Sequence, residues 1–121
     1  MKTTIYHNPR CSKSRNVLQI LKDRHLEVET IEYLKNPLSK QELIDLLAKL
    51  DMDPRELMRT KEVLYKAKGL DNQDLDRAAL IQAMVENPIL IERPIVLIGD
   101  KAVLGRPPDK VLEILGEFTE N

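Results

Sequence analysis

Residues 7 to 15 read HNPRCSKSR and hold the chain's single cysteine, Cys11, one of its two histidines, His7, and two arginines, Arg10 and Arg15. A free cysteine has a pKa near 8.5 and is only a few per cent thiolate at neutral pH, yet the thiolate is the nucleophile. Three things favour that anion: the N-terminus of a helix, an adjacent cation and a protonated histidine. The run TTIY before this stretch reads as a strand and the repeat after it as a helix, so Cys11 sits where all three could act. A drop of about two pKa units, roughly 1.4 kcal/mol each, would make it mostly thiolate.

Two other readings of Cys11 compete. A free cysteine is often a small buried hydrophobe. A metal ligand needs companions, and neither His7 nor His25 stands at ligand spacing from Cys11. The spacing around the reactive-thiol reading limits its chemistry. Cys-x-x-Cys would allow internal disulfide exchange, but position 14 is Ser14; a phosphatase-type Cys-x5-Arg loop would need arginine where Val17 stands. Redox work at Cys11 therefore needs a second thiol from outside.

Three further arginines stand out by context. Arg93 and Arg106 each precede a proline, which pushes both into extended backbone, and Arg59 closes a helical segment in ELMRTKE. Taken singly, each is most simply a solvated surface cation. Converging on a thiolate at a helix start, they would make a site for a tetrahedral oxyanion.

The elements that must position these residues can be read in order. Thr3 to Tyr6 predicts a strand. Ser12 or Ser14 can cap a helix whose apolar face is Val17, Leu18 and Leu21, with Ile20 beside it. LEVETIEYL alternates as a second strand, so strand, helix and strand form a βαβ unit with a parallel pair. Ser39-x-x-Glu42 is a capping box, and Asp53-Pro54-x-Glu56 repeats the signal. Thr60 can cap a short helix ending near Gly69, and Leu75 to Glu86 predicts another, closed by Asn87-Pro88. PIVLIGDKAVLG reads as a hairpin turning at Gly99-Asp100. Pro107 and Pro108 open a last helix, with Val111, Leu112 and Leu115 inward and Gly116 as its stop. The expectation is a single α/β domain over residues 1–121, with a mixed sheet in the order βαβ, helical insert at about 39–87, then ββα. That order is the thioredoxin-like one. It would set Arg93 beside the first helix's N-terminus and makes the Arg93-Pro94 bond a candidate cis peptide.

Composition sets outer limits. The 121 residues are 42% hydrophobic and 32% charged with a formal charge of −1, so no net field draws the chain to nucleic acid or an anionic membrane. A lone cysteine suits a reducing cytoplasm; neither a signal peptide nor a spanning apolar stretch is expected.

YHNPRCSKSR, ELMRTKE, NPILIERPIV and LGRPPDKVLEIL, in that order and spacing, resemble the glutathione- and glutaredoxin-coupled arsenate reductases of thioredoxin-like fold. The run from Arg10 to Arg15 is similar to the chromosomal branch rather than to plasmid-borne members with Cys-Gly-Thr-Ser-Arg. The resemblance implies a cytoplasmic oxidoreductase for arsenic detoxification, in which Cys11 is the nucleophile and His7 lowers its pKa. It implies that Arg59, Arg93 and Arg106 bind arsenate and the arsenite-like product. Glutathione would enter as co-substrate to attack the cysteine–arsenic adduct, and glutaredoxin would reduce the mixed disulfide. No bound cofactor or metal is implied, nor a nucleic-acid or membrane partner, and a monomer is expected. Two alternatives are a thiol-switch regulator of RNA polymerase, Spx-like, which commonly carries the Cys-x-x-Cys that Ser14 breaks, and a general glutathione-dependent reductase of another substrate.

Overall fold

A computed structural model describes residues 2–119 of the chain, with side chains as far as Leu115. The chain divides into two compact units: one joins the segment up to Asn36 with that from Arg93 onward, and the other is Pro37–Glu92.

The first unit is built on β1 (Thr3–His7), α1 (Ser12–Asp23), β2 (Val28–Glu32), β3 (Ile95–Ile98) and β4 (Lys101–Leu104). Strand order is β2-β1-β3-β4. β1 pairs parallel with β2, from Thr3 opposite Val28 to His7 opposite Glu32, and antiparallel with β3. A parallel pair needs a crossover, and α1 supplies it. β1 is an inner strand, so all five of its residues are buried. β3 and β4 form the expected hairpin, with Gly99 at φ 60°. A tight two-residue turn requires positive φ there, which glycine adopts without a Cβ clash.

After β4, a 3₁₀ turn (Pro108–Lys110) leads into the C-terminal helix (Val111–Thr119). The core is Ile5, Val17, Leu21, Val96, Ile98, Val111 and Leu115, each 2% exposed or less. Aliphatic side chains so fully buried contribute about 1.5–3 kcal/mol apiece. This mixed four-stranded sheet with its crossover helix is a thioredoxin-like α/β arrangement.

The second unit is helical: α2 (Lys40–Leu50), α3 (Pro54–Leu57), α4 (Val63–Ala67) and α5 (Arg77–Glu86), then a 3₁₀ turn (Pro88–Leu90). We number the C-terminal helix α6. Leu43, Leu46 and Leu47 of α2 and Leu80, Ile81, Ala83 and Met84 of α5 are buried where these helices pack. Both expected caps form. Ser39 Oγ accepts from Glu42 N–H at 3.1 Å while Glu42 accepts from Ser39 N–H at 2.9 Å, and Glu56 accepts from Asp53 N–H at 2.9 Å. Arg55 donates to the Tyr65 hydroxyl at 2.6 Å, to Leu70 O at 2.6 Å and to Asn72 O at 3.2 Å, tying the segment after α4 to α3.

Several local expectations are corrected. Neither Ser12 nor Ser14 caps α1; the N-cap is Cys11. Glu62, not Thr60, precedes α4, and α5 begins at Arg77 because the Asp76 carboxylate accepts from Ala79 N–H at 2.8 Å. α6 runs through Gly116 to Thr119, since a glycine inside a helix costs only about 1 kcal/mol. Leu112 is 39% exposed, and Ile114 packs on the core instead. Among the described residues no helix is long and apolar enough to cross a membrane.

Candidate active site

The site begins in the turn between β1 and α1. Asn8 Oδ1 accepts from Arg10 N–H at 3.0 Å, and Asn8 O accepts from Cys11 N–H at 3.0 Å. Such local bonds are why asparagine recurs in turns. Arg15 donates to Pro9 O at 2.9 Å, closing the turn from the helix side. Cys11 thus lands at the N-cap, with extended backbone (φ −94°, ψ 124°) and a partly exposed side chain.

An N-cap side chain faces the unsatisfied N–H groups of the first helical turn. Partial burial pushes the Cys11 thiol up, but opposing effects together bring it below its ordinary value. The largest of these is Ser14 N–H, followed by the Arg93 guanidinium, Lys13 N–H and the Ser14 hydroxyl. The two backbone donors act with the positive end of the α1 dipole.

Ser14 is the residue whose role the sequence did not reveal. Fully buried, its hydroxyl favours the thiolate while its oxygen accepts from Asn8 N–H at 3.4 Å. The sequence registers position 14 as a missing second cysteine and as a capping candidate; its place three residues after Cys11 at a helix start was the available signal.

The resemblance implies that His7 lowers the Cys11 pKa. It ends β1 at 5% exposure, and its Nδ1 has no hydrogen-bond partner among the described residues. Burial lowers its pKa below 6.5; Glu32 pulls the other way, while Arg15 and Lys22 add to the lowering. Burial thus favours the neutral imidazole. The nearby cation is Arg93.

Arg93 follows the helical unit and precedes β3, and Arg106 follows β4. Both Arg93-Pro94 and Arg106-Pro107 are cis. Arg106 Nη1 donates to Arg93 O at 3.3 Å, so the second arginine braces the backbone of the first. Gly105 closes the arrangement: its N–H donates to Pro94 O at 2.9 Å, and a Cβ there would lie 2.8 Å from Val17 Cγ2 and 3.1 Å from Pro94 Cγ. Glycine lets β4 approach α1 and Pro94 this closely.

The structure thus gathers Cys11, His7, Ser14, Arg93 and Arg106 in one unit. Arg59 belongs to the other, where it is 24% exposed and ion-paired with Glu62 at 3.3 Å and Glu92 at 3.9 Å. Among the described residues no group of His, Cys, Asp and Glu side chains could hold a metal ion.

A partly exposed low-pKa thiol beside an arginine can attack an electrophilic oxyanion and form a covalent adduct. The chain is 56% identical over 113 residues to an uncharacterized protein of Escherichia coli K12, covering 93% of this chain and 95% of that one. It is 50% identical over 116 residues to an arsenate reductase of Haemophilus influenzae, covering 95% of this chain and all of the relative. The solved arsenate reductase of Vibrio cholerae superposes with a TM-score of 0.92 at 46% identity, over 94% of this chain and 98% of that one. Residues 6–114 match the ArsC family from end to end of the site, from the residue before His7 to beyond Arg106. On sequence and fold, the chain belongs to the ArsC family.

Proposed function

We propose that the protein is an arsenate reductase that draws its second thiol from glutathione and is recycled by glutaredoxin. The observation that carries this reading is Cys11 at the N-cap of α1, its thiolate favoured by Ser14 and Lys13 N–H groups and by Arg93. Its place in a family with named arsenate reductases at 50% identity supplies the substrate.

Arg93 and Arg106 bind arsenate by charge-assisted hydrogen bonds, for which the planar guanidinium is suited, and Arg59 of the helical unit is itself an oxyanion ligand. The Cys11 thiolate attacks arsenic and an arsenate oxygen departs as water, leaving a cysteine–arsenic(V) adduct. Attack by glutathione brings the second thiol. Two thiols become one disulfide, so two electrons pass to arsenic and arsenite is released. With a single cysteine in the chain, the mixed disulfide between Cys11 and glutathione is returned to the thiol by glutaredoxin. His7, whose neutral form burial favours, ends β1.

Steady-state reduction of arsenate with glutathione, glutaredoxin and a nicotinamide-coupled glutathione reductase tests the reading. Wild type turns over and Cys11→Ser does not, because a serine hydroxyl at this position stays protonated. No turnover by wild type with all components present would remove arsenate as the substrate.

A further inference from the structure

Arg59 is held in a frame of its own unit. Its N–H donates to Leu90 O at 2.7 Å and Glu92 N–H donates to Leu57 O at 2.8 Å, on either side of an antiparallel bridge between Met58 and Ile91. Glu62 N–H donates to Arg59 O at 3.0 Å, one turn further on. These bonds fix three side chains relative to one another: Glu62 Oε2 lies 3.3 Å from Arg59 Nη1, and Glu92 Oε1 lies 3.9 Å from Arg59 Nε. Ile89 O also accepts from Nη1 at 3.3 Å.

A guanidinium binds a planar or tetrahedral anion bidentately through one of two edges, side-on through Nε and Nη2 or end-on through Nη1 and Nη2. Here one nitrogen of each edge already has a carboxylate near it: Glu92 beside Nε and Glu62 beside Nη1. All three side chains are about a quarter exposed, so the pairs are screened less than fully solvated ones.

We propose that Glu62 and Glu92 set the oxyanion affinity of the protein by competing with the incoming anion for Arg59. This rests on Arg59 being an oxyanion ligand. An arsenate oxygen approaching Nη1 must share it with Glu62 or displace that carboxylate, one approaching Nε meets Glu92, and both charges repel a dianion throughout. The more closely placed Glu62 is the stronger competitor. Removing either charge while keeping the shape should tighten binding about two- to fivefold, the range expected of a partly screened ion pair.

The test measures arsenate binding by calorimetry on Cys11→Ser protein, where no turnover intervenes, and arsenate KM and kcat on protein that retains Cys11. Glu62→Gln is expected to lower Kd and KM by about two- to fivefold with kcat within about twofold, and Glu92→Gln to do so less. The gain should vanish when Arg59→Ala is added and shrink as salt rises. If Arg59→Ala weakens binding but both glutamine variants leave Kd unchanged or raise it, the carboxylates only position the arginine and the proposal is overturned. If Arg59→Ala leaves binding unchanged, Arg59 is not an oxyanion ligand and the proposal falls with it. Tighter binding by Glu62→Gln in a protein that shows no arsenate turnover would support the competition while removing the reductase reading.

Discussion

At the scale of single residues, the charge on Cys11 is decided by neighbours that the sequence places close and by one that only the fold brings in. Lys13 and Ser14 act because the helix begins at Cys11; Arg93 acts although it stands far along the chain. Ser14→Ala removes the hydroxyl but keeps the N–H, so it should raise the Cys11 midpoint measured by alkylation rate against pH, without returning it to that of a free thiol. His7→Ala should leave the midpoint nearly unchanged, since a neutral imidazole contributes no field. A rise with His7→Ala larger than with Ser14→Ala would show that the histidine carries charge after all. Arg93 bears on both the thiolate and the oxyanion. Losing a charge-assisted hydrogen bond costs about 1.5–3 kcal/mol, roughly ten- to a hundredfold, so Arg93→Ala should lower kcat/KM for arsenate by that much. Arg93→Lys should recover only part, because an ammonium is a point charge without the planar fork. Full recovery in the same assay would mean that charge alone is needed.

At the scale of elements, helix ends account for much of what was legible. The Ser39/Glu42 and Asp53/Glu56 boxes and the Gly99 turn could be read because each is local chemistry within four residues. Three helices end alike. After α1, α2 and α4, a left-handed residue (His25 at φ 58°, Asp51 at φ 54°, Gly69 at φ 67°) is followed by an N–H that donates back to Leu21, Leu47 and Tyr65 respectively. Glycine takes this conformation freely, whereas a side chain costs about 1–2 kcal/mol. His25 is exposed, so His25→Gly should stabilise the protein by about 0.5–1 kcal/mol, read from the denaturant midpoint at constant m. No gain, or a loss, would mean that the imidazole makes a compensating contact. Ser12, Thr60 and Gly116 misled for a shared reason: a good capping residue marks where a helix can begin or end, and packing chooses among the candidates.

At the scale of the whole molecule, the βαβ, helical and ββα order was legible because hydrophobic period and turn residues alternate cleanly, and each strand of the observed sheet coincides with a run read as extended, β1 running one residue further to His7. The site was legible only as a set of candidates. Cys11 announced itself by its place before a helix, but Arg93 and Arg106 meet through the hairpin, and the burial of His7 comes only with the folded sheet. Those are long-range facts that no spacing encodes. They also shape pH dependence. His7 and Cys11 both have folded pKa values below their unfolded ones, so the unfolded chain binds more protons and stability rises with pH. For His7 the loss sets in as pH falls below about 6.5. For Cys11 the contribution is greatest above about 8.5 and declines toward its lower folded pKa. Stability measured by denaturant titration should therefore fall between pH 7 and 5, and a neutral replacement such as His7→Gln should flatten that limb. An equally steep limb in the variant would place the acid sensitivity elsewhere.

The central claim is that Cys11 is an activated nucleophile, and it is tested most directly by titrating the thiolate itself. Thiolate absorbance on the native protein, checked by the rate of alkylation, should give a midpoint below that of a free cysteine, and Arg93→Ala should move it upward. A wild-type midpoint at or above 8.5, unmoved by Arg93→Ala, would contradict the account at its root, because the helix start and the arginine would then not be acting on the sulfur.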